Sequence, residues 1–240
     1  FFTEFTEKHI CEAFDFPSWP VWISMDWGYA TWCAVGFYTQ DPSTEVVYMF
    51  DEIYVTQMAP QVVANMIKEK LGKRFTDVVG RYTDKRVNLK EEKQGGVSTW
   101  QKFADEGVYF TIANDDRIPG WHRARELLMK DSQGNLKFQV FDNCRKFIEK
   151  IPNCVHDDRK PDDMDHKGEV HHLDQFRYFS IMRRFDDRSS EREVMTYHPK
   201  TGYPMASSDT NLGIKRLTSM KAGVSYVFKA SQMVVEHVDL

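Results

Sequence analysis

Hydrophobic and polar positions alternate between strand-like and helix-like spacing along most of the chain. Val21 to Tyr29 is a run of β-branched and aromatic residues with a single aspartate, Asp26, near its end, the pattern of a buried strand. Trp32 to Tyr38 and Val46 to Val55 continue as strands, separated by the turn signal Asp41-Pro42-Ser43-Thr44, so the three form an antiparallel meander. At Ala59 to Leu71 the apolar spacing becomes helical, with Gly72 as the stop. Asp77 to Tyr82 is a short strand delivering Thr83-Asp84. Ser98 to Glu106 is a helix with Ser98 as its cap, and Tyr109 to Ala113 is a fifth strand. A helix over Pro119–Met129, a strand over Lys137–Phe141 and a helix over Cys144–Lys150 follow. After an acidic loop, Asp157 to Asp165, a periodic helix spans Glu169–Arg184, with Leu173, Phe176, Phe179 and Ile181 on its apolar surface. Phe1 to Trp19 reads as a short helix and a lead-in loop.

Three antiparallel strands followed by alternating helices and strands predict an α/β fold: a mixed sheet, part meander and part parallel, with helices on both faces. This is the element order of the RNase H-like fold. The expected domain is 1–185. Residues 186–240 are an appendage or partly mobile arm, in which Glu193–Tyr197 and Val224–Lys229 are strand-like runs around a Gly/Pro/Ser/Asp-rich stretch.

Composition narrows the function. With 240 residues, 41% hydrophobic and 28% charged, the chain can build one sizeable core. Its net charge of -4 is not that of a polyanion binder, so contact with nucleic acid would need local basic clusters and bound cations. Cys11, Cys33, Cys144 and Cys154 form no C-x-x-C pair, which favours reduced thiols. No apolar run is long enough to span a bilayer, no signal-peptide pattern is present, and no phosphate-binding P-loop occurs. The first residue is Phe1, so the chain is expected to be part of a longer protein.

Asp26 in a buried strand must lose hydration, which is costly without a partner; it either caps a turn or binds a cation. Asp84, at another strand end, is a turn residue neutralised by Lys85 and Arg86, or a second carboxylate meeting Asp26 if their strands are neighbours. His171, Asp174 and Arg177 recur every three residues and share one helix face, either solvated or ligating. Cys154, His156, His166 and His171 fit no structural zinc spacing. Basic candidates for DNA contact are Lys85, Arg86, Lys90, Arg123, Arg125, Arg183, Arg184, Lys215, Arg216 and Lys221.

In order, the motifs resemble the nuclease domain of the phage terminase large subunit. They are Asp26-Trp27-Gly28-Tyr29, Tyr82-Thr83-Asp84 and Asn114-Asp115-Asp116-Arg117-Ile118-Pro119-Gly120-Trp121. Pro161-Asp162-Asp163-Met164-Asp165 and His171-x-x-Asp174-x-x-Arg177-Tyr178 complete the series. The resemblance covers roughly residues 15 to 184. It implies an endonuclease that cuts concatemeric viral DNA during packaging by a two-metal mechanism. Asp26, Asp84 and Asp174 would bind two divalent cations, Mg²⁺ or Mn²⁺, and His171 would be a further ligand or proton-handling neighbour. Many relatives carry an acidic residue just before that histidine; here Val170 fills the position, preceded by Glu169. Implied partners are double-stranded DNA, an ATPase motor domain in the same full-length chain, the terminase small subunit and the portal protein, in the host cytoplasm. The tail, with Lys215, Arg216 and Lys221, is expected to touch the portal or gate the cleft. Rival readings are a resolvase- or transposase-like nuclease and a non-catalytic module that docks DNA or the portal.

Overall fold

The computed structural model describes residues 1–16, 19–88, 96–165 and 170–183, and the backbone of 224–229 and 232–237. The expectations for Lys90, His166, Glu169, Arg184, Glu193–Tyr197, Lys215, Arg216 and Lys221 lie outside the described residues. The chain forms two compact units, Phe1–Arg184 and Phe185–Leu240. In the second, Val224–Lys229 pairs antiparallel with Gln232–His237.

The first unit is built on a seven-stranded mixed sheet. Its strands are β1 (Ile10–Cys11), β2 (Val21–Asp26), β3 (Trp32–Gln40), β4 (Val47–Thr56), β5 (Val78–Thr83), β6 (Thr111–Ile112) and β7 (Phe138–Phe141). Their spatial order is β1-β7-β4-β3-β2-β5-β6. The meander β2–β3–β4 is antiparallel, whereas β2 with β5, β5 with β6, and β4 with β7 are parallel. The helices are α1 (Pro60–Leu71), α2 (Thr99–Asp105), α3 (Arg117–Leu128), α4 (Arg145–Lys150) and α5 (His171–Met182). Ser98 caps α2 as expected, its Oγ accepting the Gln101 N–H at 3.1 Å. Helix α3 begins at Arg117, so Pro119 lies in its first turn, where the missing N–H costs nothing.

Both sheet faces are covered. On one, Val63, Ile67 and Phe103 of α1 and α2 pack on Val21, Ile23, Met25, Val35 and Phe37. On the other, Trp121 and Leu127 of α3, Phe147 of α4, and Leu173, Phe176 and Phe179 of α5 pack on Tyr38, Met49, Phe138 and Val140. The cysteines are free, with Cys33 and Cys144 in the core.

Two segments depart from expectation. The first residues form a 3-10 turn, Glu7–His9, and the two-residue β1 in place of a helix. Pairing to Val140 and Phe141 fixes that strand, a non-local cause that two residues cannot advertise as alternation. The fifth predicted strand shrinks to β6, because only Thr111 and Ile112 find ladder partners, at Tyr82 and Thr83. Phe110 instead turns into the core, and its carbonyl accepts the Trp100 indole N–H at 2.7 Å.

Helix α5 determines where the later motif lands. Val21, Ile23 and Met25 of β2 face α1 and α2, so Trp22, Ser24 and Asp26 face α5. Trp22 meets the ring of Phe179, Ser24 Oγ donates to the Gln175 carbonyl at 2.6 Å, and Asp26 meets His171. Two strand residues advance about 6.7 Å and four helix residues about 6.0 Å, so the two rows stay in step over three contacts. The middle contact is tight. Gly36, beside Ser24 in the sheet, leaves room for Gln175; a Cβ there would stand 2.2 Å from Gln175 Oε1. Gln175 Oε1 in turn accepts the Tyr38 hydroxyl at 2.6 Å.

Candidate metal centre

Because β2 and β5 are parallel neighbours with Met25 opposite Thr83, their C-terminal ends emerge together. The next residues, Asp26 and Asp84, are therefore adjacent, at 0% and 2% exposure. Arg86, two residues past Asp84 on a 3-10 turn, joins them. Its Nε donates to Asp84 Oδ1 at 3.0 Å and its Nη2 to Asp26 Oδ1 at 3.0 Å. The Arg86 backbone N–H also donates to Asp84 Oδ1, at 2.6 Å. The other oxygen of Asp84, Oδ2, is buried with no hydrogen-bond partner among the described residues, as is Thr83 Oγ1.

The first turn of α5 closes the group. His171 Nδ1 is hydrogen-bonded to Asp26 Oδ2, and the Tyr178 hydroxyl donates to Asp26 Oδ1 at 3.3 Å. Asp174, buried one turn along from His171, is held from behind. Arg177 donates to its Oδ1 through Nε (3.1 Å) and Nη2 (2.8 Å), and Arg117 Nη1 stands 3.6 Å from the same atom. Arg177 Nη1 reaches the Asp115 carbonyl at 2.8 Å, while Arg117 Nε donates to both carboxylate oxygens of Asp163 at 3.0 Å. Trp121 Nε1 donates to Asp163 Oδ1 at 2.8 Å. The Asn114–Trp121 and Asp163 motifs thus serve as a brace for Asp174.

Burial, reinforced by the charges of Asp174 and Asp84, pushes the Asp26 carboxyl above its ordinary range, against the opposing bond from His171. That bond raises the His171 imidazole above its ordinary value, with burial opposing and the charges of Asp26 and Asp174 assisting. These are the signs of a carboxylate group in need of positive charge. Three hard carboxylates, one with a buried oxygen unpartnered among the described residues, suit Mg²⁺ or Mn²⁺. As the side chains stand, with Arg86 across two of them, no trio of His, Cys, Asp or Glu among the described residues is arranged to hold a metal ion.

The basic candidates divide. Lys85, 70% exposed, pairs with Asp115 Oδ2 at 3.0 Å beside the carboxylates. Arg123 is exposed on α3 and pairs with Glu126 at 2.8 Å. Arg125 donates to the Phe1 carbonyl at 3.1 Å and lies over the Phe1 ring. Arg183 is buried against Trp22 and Phe179. The zinc alternative finds no convergence among the described residues: His156 is exposed and bonded to the Pro161 carbonyl, and Cys154 Sγ points to the Lys150 carbonyl at 3.3 Å. What the sequence left unassigned is the bridging by Arg86 and the bracing by Arg117, Arg177 and Asp163. The Asp84-x-Arg86 spacing was a local sign of the first; the others depend on contacts between distant segments.

No protein-family model matches the chain, nor does any curated protein. Solved structures do. The large terminase of a thermophilic bacteriophage, in complex with ADP, superposes with a TM-score of 0.63 at 16% identity, over 77% of this chain and 45% of its own. The P22 large terminase nuclease domain gives a TM-score of 0.58 at 22% identity, over 77% of this chain and 92% of its own. The nuclease domain of the bacteriophage SPP1 large terminase, solved with bound Mn, gives 0.50 at 16% identity, over 70% and 92%. The chain spans less than half of the ADP-bound large terminase and most of each isolated nuclease domain. Its fold is the RNase H-like fold of large-terminase nuclease domains.

Proposed function

We propose that this chain is a metal-dependent endodeoxyribonuclease that cuts concatemeric viral DNA during genome packaging, next to an ATPase motor in the full-length protein. The supporting observation is the pairing of buried Asp26 and Asp84 at neighbouring strand ends, with Asp174 of α5 near enough for its charge to act on Asp26, in a fold shared with large-terminase nuclease domains. Asp26, Asp84 and Asp174 would hold two divalent cations, Mg²⁺ or Mn²⁺, which supply a deprotonated water and neutralise the leaving oxygen.

The chain's own residues do the rest. Asp26 is fixed by a rigid central strand and oriented by the Tyr178 hydroxyl and His171. His171 uses Nδ1 on Asp26, which leaves its Nε2 to hold or pass a proton. Arg177 and Arg117 grip Asp174 through Oδ1, so Oδ2 is the oxygen presented to a cation. Exposed Lys85, Arg86 and Arg123 offer backbone contacts to double-stranded DNA. With a net charge of -4, such binding is weak, poorly sequence-specific and salt-sensitive. That suits an enzyme held on DNA by its motor, the portal and the small subunit in the host cytoplasm.

The test is nicking of supercoiled plasmid in Mn²⁺ by the wild type, Asp26→Ala, Asp174→Ala and His171→Asn. Wild type is expected to nick, both aspartate variants to lose cleavage, and His171→Asn to slow by about 10²-fold. Cleavage at wild-type rate by both aspartate variants would sink the metal-site assignment. An inactive wild type that still binds DNA or portal would make the chain a docking module.

A further inference from the structure

Three guanidiniums surround the three carboxylates, and they are not held alike. Arg177 is 2% exposed and, besides Asp174, donates to the Asp115 carbonyl and lies over the Trp121 ring. Arg117 is tied to Asp163 by both carboxylate oxygens. Each has an anchor outside the carboxylate trio. Arg86 has none among the described residues: its side chain bonds only Asp84 and Asp26, and is 60% exposed. Of the three, only Arg86 can leave without breaking a second structure. Asp84 would keep its bond from the Arg86 backbone N–H, so the turn stays in place when the guanidinium departs.

We propose that Arg86 is a tethered counter-ion: it clamps Asp26 and Asp84 in the metal-free protein, yields them to a divalent cation, and then binds a DNA backbone phosphate. This rests on the metal-site reading above and adds a coupling to it. Two buried carboxylates at adjoining strand ends repel each other unless a positive charge lies between them. The guanidinium supplies that charge, but it bonds the same carboxylates that a cation would take, so the two compete. Once released, Arg86 carries a planar fork of donors matched to a phosphate, tethered at the mouth of the site where the scissile strand must lie. Metal then strengthens DNA binding, and by reciprocity DNA strengthens metal binding by the same factor.

The experiment compares the intact chain with Arg86→Gln and with Lys85→Gln, which removes the same charge from the same turn but leaves the clamp. Mn²⁺ binding is measured by calorimetry, metal-free stability by thermal melting, and binding of a double-stranded oligonucleotide in Ca²⁺ and in EDTA. Metal-free Arg86→Gln is expected to melt below the wild type and below Lys85→Gln. It should bind Mn²⁺ about tenfold more tightly than Lys85→Gln, within the usual range of coupling between sites. Ca²⁺ should raise the DNA affinity of wild type and Lys85→Gln about tenfold, and that of Arg86→Gln hardly at all. Equal Mn²⁺ affinity in the two variants, an Arg86→Gln melt no lower than wild type, or an unchanged Ca²⁺ effect in Arg86→Gln overturns the clamp while leaving the metal site standing. If no version binds Mn²⁺, the metal-site reading itself falls, and the clamp with it.

Discussion

Replacing Arg177 with methionine should remove more of this protein's stability than the loss of any exposed charge could. The methionine keeps most of the apolar stem that packs near Gly120, but removes the hydrogen bonds to Asp174 at 3.1 and 2.8 Å and to the Asp115 carbonyl at 2.8 Å. Among the described residues, Asp174 is then left in a buried position with only Arg117, at 3.6 Å. Because one partner of a buried pair stays behind uncompensated, the cost is about 3–5 kcal/mol. An isolated hydrogen bond would be worth about 1 kcal/mol. For a unit of this size each kcal/mol shifts the midpoint by about 2–4 °C, so a loss of about 10 °C is expected. Urea unfolding followed by circular dichroism gives the free energy directly. The second arm is Asp174→Asn on the Arg177→Met background: removing the stranded charge should recover at least about 1.5 kcal/mol, a coupling typical of contacting residues. A single-variant loss under about 1 kcal/mol, or no recovery in the double variant, would refute the account of how Asp174 is held.

Two further outcomes follow from the packing and the charges. Gly36→Ala would drive a Cβ to 2.2 Å from Gln175 Oε1 and 2.7 Å from the Tyr38 hydroxyl, costing about 2 kcal/mol by overpacking; a melt unchanged from wild type would show that α5 shifts freely. Asp163 is held below the ordinary carboxylate range by hydrogen bonds from Trp121 and the Met164 N–H and by the Arg117 charge, against the opposing effect of burial. A depressed acid adds stability above its unfolded value, and that stability is lost as pH falls through the folded one. Asp163→Asn should therefore lower stability at neutral pH and flatten its decline below about pH 4. A stability profile parallel to wild type through that acid range would remove Asp163 from the brace.

The sequence carried most of the frame because its information there is local. Asp26 closes a run of apolar residues, Asp84 follows a short strand, and each sits at a strand end that the turn and helix signals delimit. The parallel pairing of β2 with β5, which makes those two aspartates neighbours, follows once the element order is right. What stayed hidden depends on register between distant segments. Arg117 and Asp174 are 57 residues apart in sequence, and nothing near either names the other. Arg86 was legible as a local neutraliser of Asp84 and as a base for DNA, but its second bond, to Asp26 sixty residues away, was not. Two-residue β1 shows no alternation, and Arg183, though charged, is buried against aromatic rings.

The in-step rows of β2 and α5 turn the position of His171 into a question of phase. One residue inserted between His171 and Gln175 would rotate the histidine about 100° around the helix, away from Asp26, while Gln175 and Phe179 kept their seats. One residue inserted between Ser24 and Asp26 would send the aspartate to the opposite face of the sheet, towards α1 and α2. Point substitutions can change the chemistry of each row and leave the pitch intact; length changes inside Trp22–Asp26 or His171–Phe179 cannot. The two spans therefore act as one ruler, read from both ends, and tolerance to insertion should begin only beyond its last marks.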